Sequence, residues 1–174
     1  MSKLVCLAPV PAPVVSQWLV SRTGRTDVDV VSVLGTTNDE VDQALGDCEM
    51  ILGDYTFVRP IDDALLARAP CLRFVQQPSV GYQHIDLNAC CVRGVSVANT
   101  PGVNDGTVAE HTIMMVLMLL KQAIYAHTKT AAGEWVQEEL LWQRGVYELQ
   151  GKHYGIIGMG HVGREVAKRL AGFG

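Results

Sequence analysis

The sequence has no excess of positive charge and no apolar stretch long enough to cross a membrane. Its 14 lysines and arginines are outnumbered by 18 aspartates and glutamates, which gives a formal net charge of −4. Nucleic-acid-binding proteins usually carry a clustered basic excess, so the composition does not support that class. The longest apolar stretch, residues 113–120, is eight residues long, whereas a membrane span needs about 20. We therefore predict no nucleic-acid partner and no membrane partner, and we assign residues 113–120 to a buried helix.

The chain also lacks a cysteine pattern for metal binding and an N-terminal pattern for secretion. Its five cysteines contain no C-x-x-C pair, which predicts reduced thiols in a cytoplasmic protein and no metal site. The apolar run at residues 4–8 is too short for the core of a signal peptide, and prolines follow it at positions 9, 11 and 13. Because 48% of the residues are hydrophobic and 18% are charged, general disorder is excluded.

The first hundred residues alternate between short β-branched runs and helical patterns. The 174 residues amount to one domain and a remainder, at roughly 150 residues per domain. The alternation predicts a parallel sheet with helices on both faces and right-handed crossovers. We therefore predict a small doubly wound α/β domain that is complete at about residue 100. The predicted strands lie at 3–8, 28–34, 49–53, 72–76 and 95–98, and the predicted helices lie near 13–22, 38–46, 61–69 and 85–92.

The remainder of the chain begins with a long apolar helix, which we predict over residues 107–127. Thr107 and Glu110 have the spacing of a capping box, in which the hydroxyl accepts from an early amide and the carboxylate reaches back. Apolar residues surround most of this helix, which predicts that it is enclosed on several sides. An arm with two tryptophans follows at 131–150, then a strand at 153–158 and a helix from about 161.

The turn between that strand and helix carries the pattern G-x-G-x-x-G. Gly158 permits a tight turn, Gly160 leaves room for a pyrophosphate, and Gly163 allows the helix to pack close to the strand. The helix N-terminus would offer its free amides to the phosphates. The alternative is a glycine-rich turn that binds no ligand. The acidic residue that selects the ribose hydroxyl is expected about 20 residues further on, past Gly174, so NAD and NADP both remain open.

Three stretches, in this order and spacing, resemble the D-isomer-specific 2-hydroxyacid dehydrogenase family. They are residues 74–102 (FVQQPSVGYQHIDLNACCVRGVSVANTPG), 104–110 (NDGTVAE) and 149–163 (LQGKHYGIIGMGHVG). The resemblance implies a flavodoxin-like parallel-sheet substrate domain over residues 1–101. It also implies that residues 102–174 are the first part of a Rossmann NAD(P)-binding domain. The expected reaction is hydride transfer between a nicotinamide and a small 2-hydroxy or 2-keto acid.

The same resemblance assigns the substrate-binding residues. Ser79, Val80 and Gly81 match the loop whose backbone amides hold the substrate carboxylate. Tyr55, with Thr56 beside it, lies where the family varies its substrate side-chain pocket, and Asn104 lies near the nicotinamide end of the cofactor. Two alternatives from the residues themselves stay open: residues 79–81 are an ordinary turn after a strand, and Asn104 is a turn residue.

The resemblance also assigns a cofactor site and a partner. The cofactor is NAD or NADP, and the family pairs as homodimers through the segments that match helix 107–127 and arm 131–150. For Thr107, helix capping alone is the alternative role. The residues assigned to the cofactor are Thr107, Gly158, Met159, Gly160, His161, Val162 and Gly163.

No catalytic residue is assigned within the chain. The family uses an arginine, a glutamate and a histidine that lie beyond the segment matching residues 1–174, so we expect an incomplete and inactive dehydrogenase. We also expect residues 1–100 to fold alone and residues 101–174 to fold poorly by themselves. His84, five residues past Ser79, has no matching family role, and we place it at the surface or behind the site. The alternatives are a non-catalytic nucleotide-sensing or regulatory module and a flavodoxin-like binding domain.

Overall fold

The computed structural model describes residues 2–174 and divides the chain into two compact units. The first unit extends to Val103 and the second is Asn104–Gly174. The predicted division into a substrate domain over 1–101 and a cofactor domain over 102–174 concerns the roles of these parts and stays a prediction.

Unit 1 is built on a five-stranded parallel sheet, so the predicted α/β class and parallel sheet are confirmed. Numbered along the chain, the strands lie in the order 2-1-3-4-5 across the sheet, the order of flavodoxin-like doubly wound folds. Each strand falls on one of the apolar runs seen in the sequence, because a strand covered on both faces is apolar on both. The strands are β1 (Ser2–Cys6), β2 (Val28–Ser32), β3 (Met50–Leu52), β4 (Phe74–Gln76) and β5 (Ser96–Ala98).

Helices cover the sheet unevenly, with one on one face and three on the other. Leu4 and Cys6 face the single helix, whereas Val5 and Leu7 face the other three, as the alternation of side chains along a strand requires. The buried core on the three-helix side is the larger. These helices are α1 (Ala12–Thr23), α2 (Asn38–Leu45), α3 (Asp63–Ala67) and α4 (Leu87–Val92).

Side-chain caps set the starts of three of these helices. Thr37 and Glu40 form a reciprocal capping box at α2. Asp62 accepts from the amide of Leu65 at α3, and Asp86 accepts from the amide of Ala89 at α4. Helix α3 therefore begins at Asp63, two residues after the start at residue 61 that the sequence pattern predicts.

The predicted long helix of unit 2 is two helices. Helix α5 (Asp105–Leu120) and helix α6 (Ala123–Ala131) are bent by 66° at a break where Gln122 adopts a left-handed conformation. Within residues 2–174 no helix alone has the length and apolar character to cross a bilayer, although this bent pair does by combined length and composition. The remaining elements are α7 (Gln137–Glu139), a π-helical turn (Leu140–Arg144), α8 (His161–Leu170) and a 3-10 turn (Ala171–Phe173).

The predicted capping box at Thr107 is wrong. Helix α5 starts at Asp105, which places Thr107 inside its first turn, and no side chain caps the helix. Glu110 instead lies 3.2 Å from the guanidinium of Arg169 on α8, joining the two helices. The expected enclosure of α5 is also limited, since Ala109 and Ile113 are its buried residues while Met114 and Leu119 are exposed.

The strand predicted at 153–158 is not formed. No residue of this segment pairs with another strand in the part of the chain that the structure describes, and the side chain of Ile157 is fully exposed. A strand requires a neighbour to take up its N–H and C=O groups, and the second unit supplies none. The helix predicted from residue 161 is present as α8.

Candidate functional site

The carboxyl ends of three neighbouring strands bring the candidate substrate residues of unit 1 to one edge of the sheet. Leu52, Gln76 and Ala98 are in register at the ends of β3, β4 and β5. The segment after β3 carries Asp54 and Tyr55, and the segment after β4 carries residues 79–81. In open α/β sheets, ligands bind outside the carboxyl ends of the strands, so this edge is the candidate ligand site of the unit.

Hydrogen bonds hold the carbonyl groups of the loop at residues 79–81. The carbonyl of Ser79 accepts from the amide of Thr100 at 3.0 Å, and that of Val80 accepts from Asn99 Nδ2 at 2.9 Å. The Ser79 hydroxyl accepts from Gln77 Nε2 at 2.7 Å and donates to the carbonyl of Gly81 at 3.2 Å. Within residues 2–174, the backbone N–H groups of residues 79–81 have no acceptor. Such free donors can bind an anion such as a carboxylate.

Sequence reasoning missed the residues that support this loop. Gln77 is completely buried and its Oε1 has no partner among the described residues. Thr100 donates its hydroxyl to the carbonyl of Gln77 at 3.0 Å, which ties the end of β5 to the start of the loop. A possible signal was the glutamine at the end of an apolar strand, because a polar side chain buried there needs a specific partner.

The loop after β3 is anchored by a buried carboxylate. Asp54 accepts from the amide and the hydroxyl of Thr56 at 2.8 and 2.6 Å and from the amide of Arg59 at 3.1 Å. Burial alone would raise the pKa of Asp54, but these hydrogen bonds and the Arg59 guanidinium outweigh it and lower that pKa below its usual value. Tyr55, the predicted pocket residue, lies at the exposed tip of this loop.

His84 packs through its ring against the loop that follows β3. Both of its ring nitrogens are buried, and neither has a hydrogen-bond partner among residues 2–174. Its ring contacts Phe57 edge to face, with 5.0 Å between ring centroids. Burial lowers the pKa of His84, and the negative charge of Asp54 opposes that shift only in part.

We expect the stability of unit 1 to fall as the pH decreases below roughly 6.5, the pKa of an unfolded histidine. In that range the unfolded chain binds a proton at His84 that the folded chain does not, so the proton favours unfolding. The variant His84→Phe should lose this part of the pH dependence. Urea unfolding about one pH unit above and below 6.5 measures it. If the free energy of unfolding changes equally with pH in the wild type and in His84→Phe, the expectation is wrong. His111→Phe, on α5 of unit 2, is the control.

The glycine turn of unit 2 has the geometry that a pyrophosphate requires. Gly158 has a φ of +94°, which favours glycine. A Cβ atom at Gly163 would overlap the carbonyl oxygen of Gly158, whereas a Cβ at Gly160 would meet nothing within 4 Å. Gly160 precedes α8, and no side chain caps the N-terminus of that helix. These residues fit a dinucleotide, because the open side of Gly160 and the uncapped amides leave room and donors for phosphates.

The other predicted cofactor residues lie around this turn or at the start of α5. Met159 and His161 are exposed, and His161 Nδ1 lies 3.5 Å from Asp105 Oδ2. Asn104 and Thr107 are exposed at the start of α5, and the carbonyl of Asn104 accepts from the amide of Val108. Within residues 2–174, no group of three His, Cys, Asp or Glu side chains is placed to hold a metal ion. The assignment of individual residues to substrate and cofactor stays a prediction.

Residues 7–153 match the family model described as D-isomer specific 2-hydroxyacid dehydrogenase, catalytic domain. A glyoxylate reductase of Thermococcus litoralis is 37% identical over 117 residues, which are 66% of this chain and 35% of that protein. The chain therefore spans about a third of the length of this curated relative.

Solved structures match nearly all of the chain and about half of their own length. The NAD-dependent formate dehydrogenase of Staphylococcus aureus in complex with NAD matches with a TM-score of 0.78 and 28% identity, over 98% of this chain and 54% of that one. The D-lactate dehydrogenase of Aquifex aeolicus, complexed with NAD and lactic acid, has a TM-score of 0.79 and 25% identity, over 99% and 49%.

Proposed function

We propose that this chain, which belongs to the D-isomer-specific 2-hydroxyacid dehydrogenase family, carries the substrate loop and the pyrophosphate turn of an NAD-dependent oxidoreductase. The reaction is hydride transfer between the nicotinamide and a small 2-hydroxy or 2-keto acid. The observation that carries the proposal is the geometry of the turn at Gly158–Gly163. Gly163 has no room for a side chain, whereas Gly160 is open to free space at the uncapped N-terminus of α8. Because the two matched structures hold NAD, NAD is favoured over NADP.

Each proposed residue has a binding or orienting role. When bound, the nicotinamide dinucleotide supplies or accepts the hydride. The first amides of α8 bind the phosphates, and Gly160 leaves them room to approach. The free amides of residues 79–81 hold the carboxylate, which fixes the orientation of the carbon that exchanges hydride. Asn104 and Thr107 are proposed to border the nicotinamide.

Proton transfer to the substrate oxygen is not assigned to any residue of this chain. His84 is the single histidine of unit 1, and both of its ring nitrogens are buried. A general acid must come within hydrogen-bond reach of the substrate oxygen, which this arrangement prevents. His84 is therefore not proposed as the general acid, and the chain by itself is proposed to bind without turnover.

We expect the purified chain to bind NADH and to leave glyoxylate unreduced. Quenching or enhancement of nicotinamide fluorescence reports binding, and the loss of nicotinamide absorbance reports turnover. Glyoxylate should also shift the amide NMR signals of residues 79–81. Steady oxidation of NADH by the chain would contradict the proposal that the chain binds without turnover. The absence of any NADH binding would contradict the proposed cofactor site.

A non-catalytic nucleotide-sensing module is the second candidate, and the buried His84 nitrogens favour it. The two candidates differ in the substrate loop. A dehydrogenase portion should respond to glyoxylate at residues 79–81, whereas a pure nucleotide sensor should bind NADH and ignore the keto acid.

A homodimer formed through α5, α6 and the arm at 131–150 is also proposed. Large apolar side chains are exposed on these segments, and burying such a patch between two copies would be favourable. Examples are Leu119, Ile124, Trp135 and Trp142. A reducing, cytoplasmic location is proposed from the cysteines, all five of which are free thiols.

A further inference from the structure

His161 and Asp105 lie side by side at the N-terminal ends of two helices of unit 2. His161 is the first residue of α8 and directly follows Gly160, and Asp105 is the first residue of α5. The imidazole Nδ1 of His161 lies 3.5 Å from Oδ2 of Asp105, so the two side chains form an ion pair when the imidazole is protonated. This pair joins the start of α5 to the glycine turn.

Two local fields act on the imidazole in opposite directions. The dipole of α8 is positive at its N-terminus and therefore disfavours a cation at the first residue of the helix. The carboxylate of Asp105 supplies the opposing charge, and it attracts the ring only in the protonated form. Asp105 is the less exposed partner, with 17% of its side chain accessible against 69% for His161. The carboxylate is therefore held in place, while the imidazole is open to a ligand.

The other charged groups of α5 and α8 near this pair keep fixed charges around neutral pH. On α5 the next carboxylate, Glu110, pairs with Arg169 of α8. On α8 itself, Glu165 pairs with the same arginine, and Arg164, three residues after His161, is always charged. An imidazole, in contrast, changes its charge between about pH 6 and pH 8.

A pyrophosphate at the glycine turn would bring more negative charge to the same place. The proposed site puts the phosphates against the first amides of α8, and the first of these amides belongs to His161. Asp105 by itself would repel the phosphates, because its carboxylate is also negative. A protonated His161 removes this conflict, since a cation then lies beside both anions. A neutral ring would leave the repulsion in place.

We propose that His161 binds the cofactor pyrophosphate as an imidazolium, with Asp105 as its positioning residue, so that cofactor binding takes up a proton. The inference rests on the proposed function, since it takes the turn at Gly158–Gly163 as the pyrophosphate site. The linkage is reciprocal: a proton that favours the ligand is itself favoured by the ligand. The affinity for a pyrophosphate therefore falls as the pH rises from about 6 to about 8, where a histidine loses its proton.

Calorimetric titration of the chain with ADP-ribose tests the inference, because this ligand carries the pyrophosphate without the nicotinamide. Titrations at about pH 7 in two buffers of different ionisation enthalpy should show that about half a proton passes from the buffer to the complex. The affinity should be about tenfold higher at pH 6 than at pH 8, as expected for one added unit charge near a protein surface. Binding without proton uptake would contradict the inference.

Four variants assign the proton to the pair. His161→Arg keeps a permanent charge, so it should bind equally well at both pH values and take up no proton. His161→Gln should bind at pH 6 about as weakly as the wild type binds at pH 8. Asp105→Asn should tighten binding at pH 8, where the carboxylate repels the phosphates, and should reduce the tenfold ratio to about threefold or less. A merely structural role for Asp105 would lower the affinity equally at both pH values. His111→Gln, at an exposed histidine of α5, is the matched control.

The outcomes separate this inference from the proposed function. If ADP-ribose binds and His161→Gln keeps the proton uptake of the wild type, the inference is wrong while the pyrophosphate site stands. The same holds if His153→Gln removes the uptake in place of His161→Gln. If the wild type binds no ADP-ribose at pH 6, the pyrophosphate site is wrong and the inference fails with it. Circular dichroism checks the helix content of each variant, and His161→Asn replaces His161→Gln if the latter loses helix.

Discussion

Gly160→Val should weaken NADH binding at least about a hundredfold while changing the stability of the chain by less than about 1 kcal/mol. Gly160 has an extended backbone with a φ of −76°, outside the left-handed region that favours glycine, and a Cβ there meets nothing within 4 Å. The folded chain therefore accommodates the valine. The substitution instead weakens the binding of NADH, because the new side chain occupies the space through which a pyrophosphate would approach the amides of α8.

Two neighbouring glycines make the comparison specific. Gly163→Ala should reduce both stability and binding, because its Cβ would overlap the backbone oxygen of Gly158, which cannot move aside without shifting the turn. Gly155→Ala should change neither, since a Cβ there meets nothing within 4 Å and the residue lies outside the turn. Fluorescence titration with NADH and thermal unfolding measure the two properties. Unchanged NADH affinity in Gly160→Val would show that the turn is not the pyrophosphate site.

Asp54→Ala should destabilise unit 1 by about 3 kcal/mol. The substitution removes the acceptor for the amide and hydroxyl of Thr56 and for the amide of Arg59. Asp54 is completely buried, so the cavity that it leaves offers these groups no equivalent partner. The loop that carries Tyr55 and Phe57 should then become mobile, because these hydrogen bonds anchor it.

Urea unfolding followed by the amide signals of β3 and β4 measures the effect of Asp54→Ala. The matched control is Asp63→Ala, because Asp63 is exposed and its ion pair with Arg93 should contribute less than about 1 kcal/mol. Since the pKa of Asp54 is lowered in the folded chain, its stabilisation is present above roughly pH 4 and is lost as the pH falls further. If Asp54→Ala loses no more unfolding free energy than the control, other contacts of the loop are sufficient to hold it.

Local sequence patterns were sufficient to predict the sheet of unit 1 and to locate the glycine turn. The five β-branched runs became the five strands, and the central strands β1 and β3 bury apolar residues on both faces of the sheet. The turn at Gly158–Gly163 could be identified because its requirements are local. Gly158 needs a positive φ, Gly163 approaches the backbone of Gly158 closely, and Gly160 leaves open space. The family followed from the order of three such local stretches, and the match over residues 7–153 confirms it.

Features that depend on distant partners were predicted poorly. Residues 153–158 have the composition of a strand, yet no neighbouring strand pairs with them in residues 2–174. Thr107 and Glu110 have the spacing of a capping box, but α5 starts at Asp105 and Glu110 pairs with Arg169 on another helix. The bend between α5 and α6 depends on the left-handed Gln122, and glutamine carries no sequence signal for that conformation.

The sequence by itself determined the class of fold in unit 1, the family and the position of the glycine turn, because hydrophobic periodicity and glycine spacing act within a few neighbouring residues. Only the tertiary structure decided what lies against the loop at residues 79–81. Phe57, Gly81 and His84 are brought together by two strand-end loops, and Asp54 is buried where its segment reads as an exposed loop. Contacts between such segments depend on the order of the strands in the sheet and on which groups are buried. Neither can be predicted from the residues that neighbour a position in the sequence.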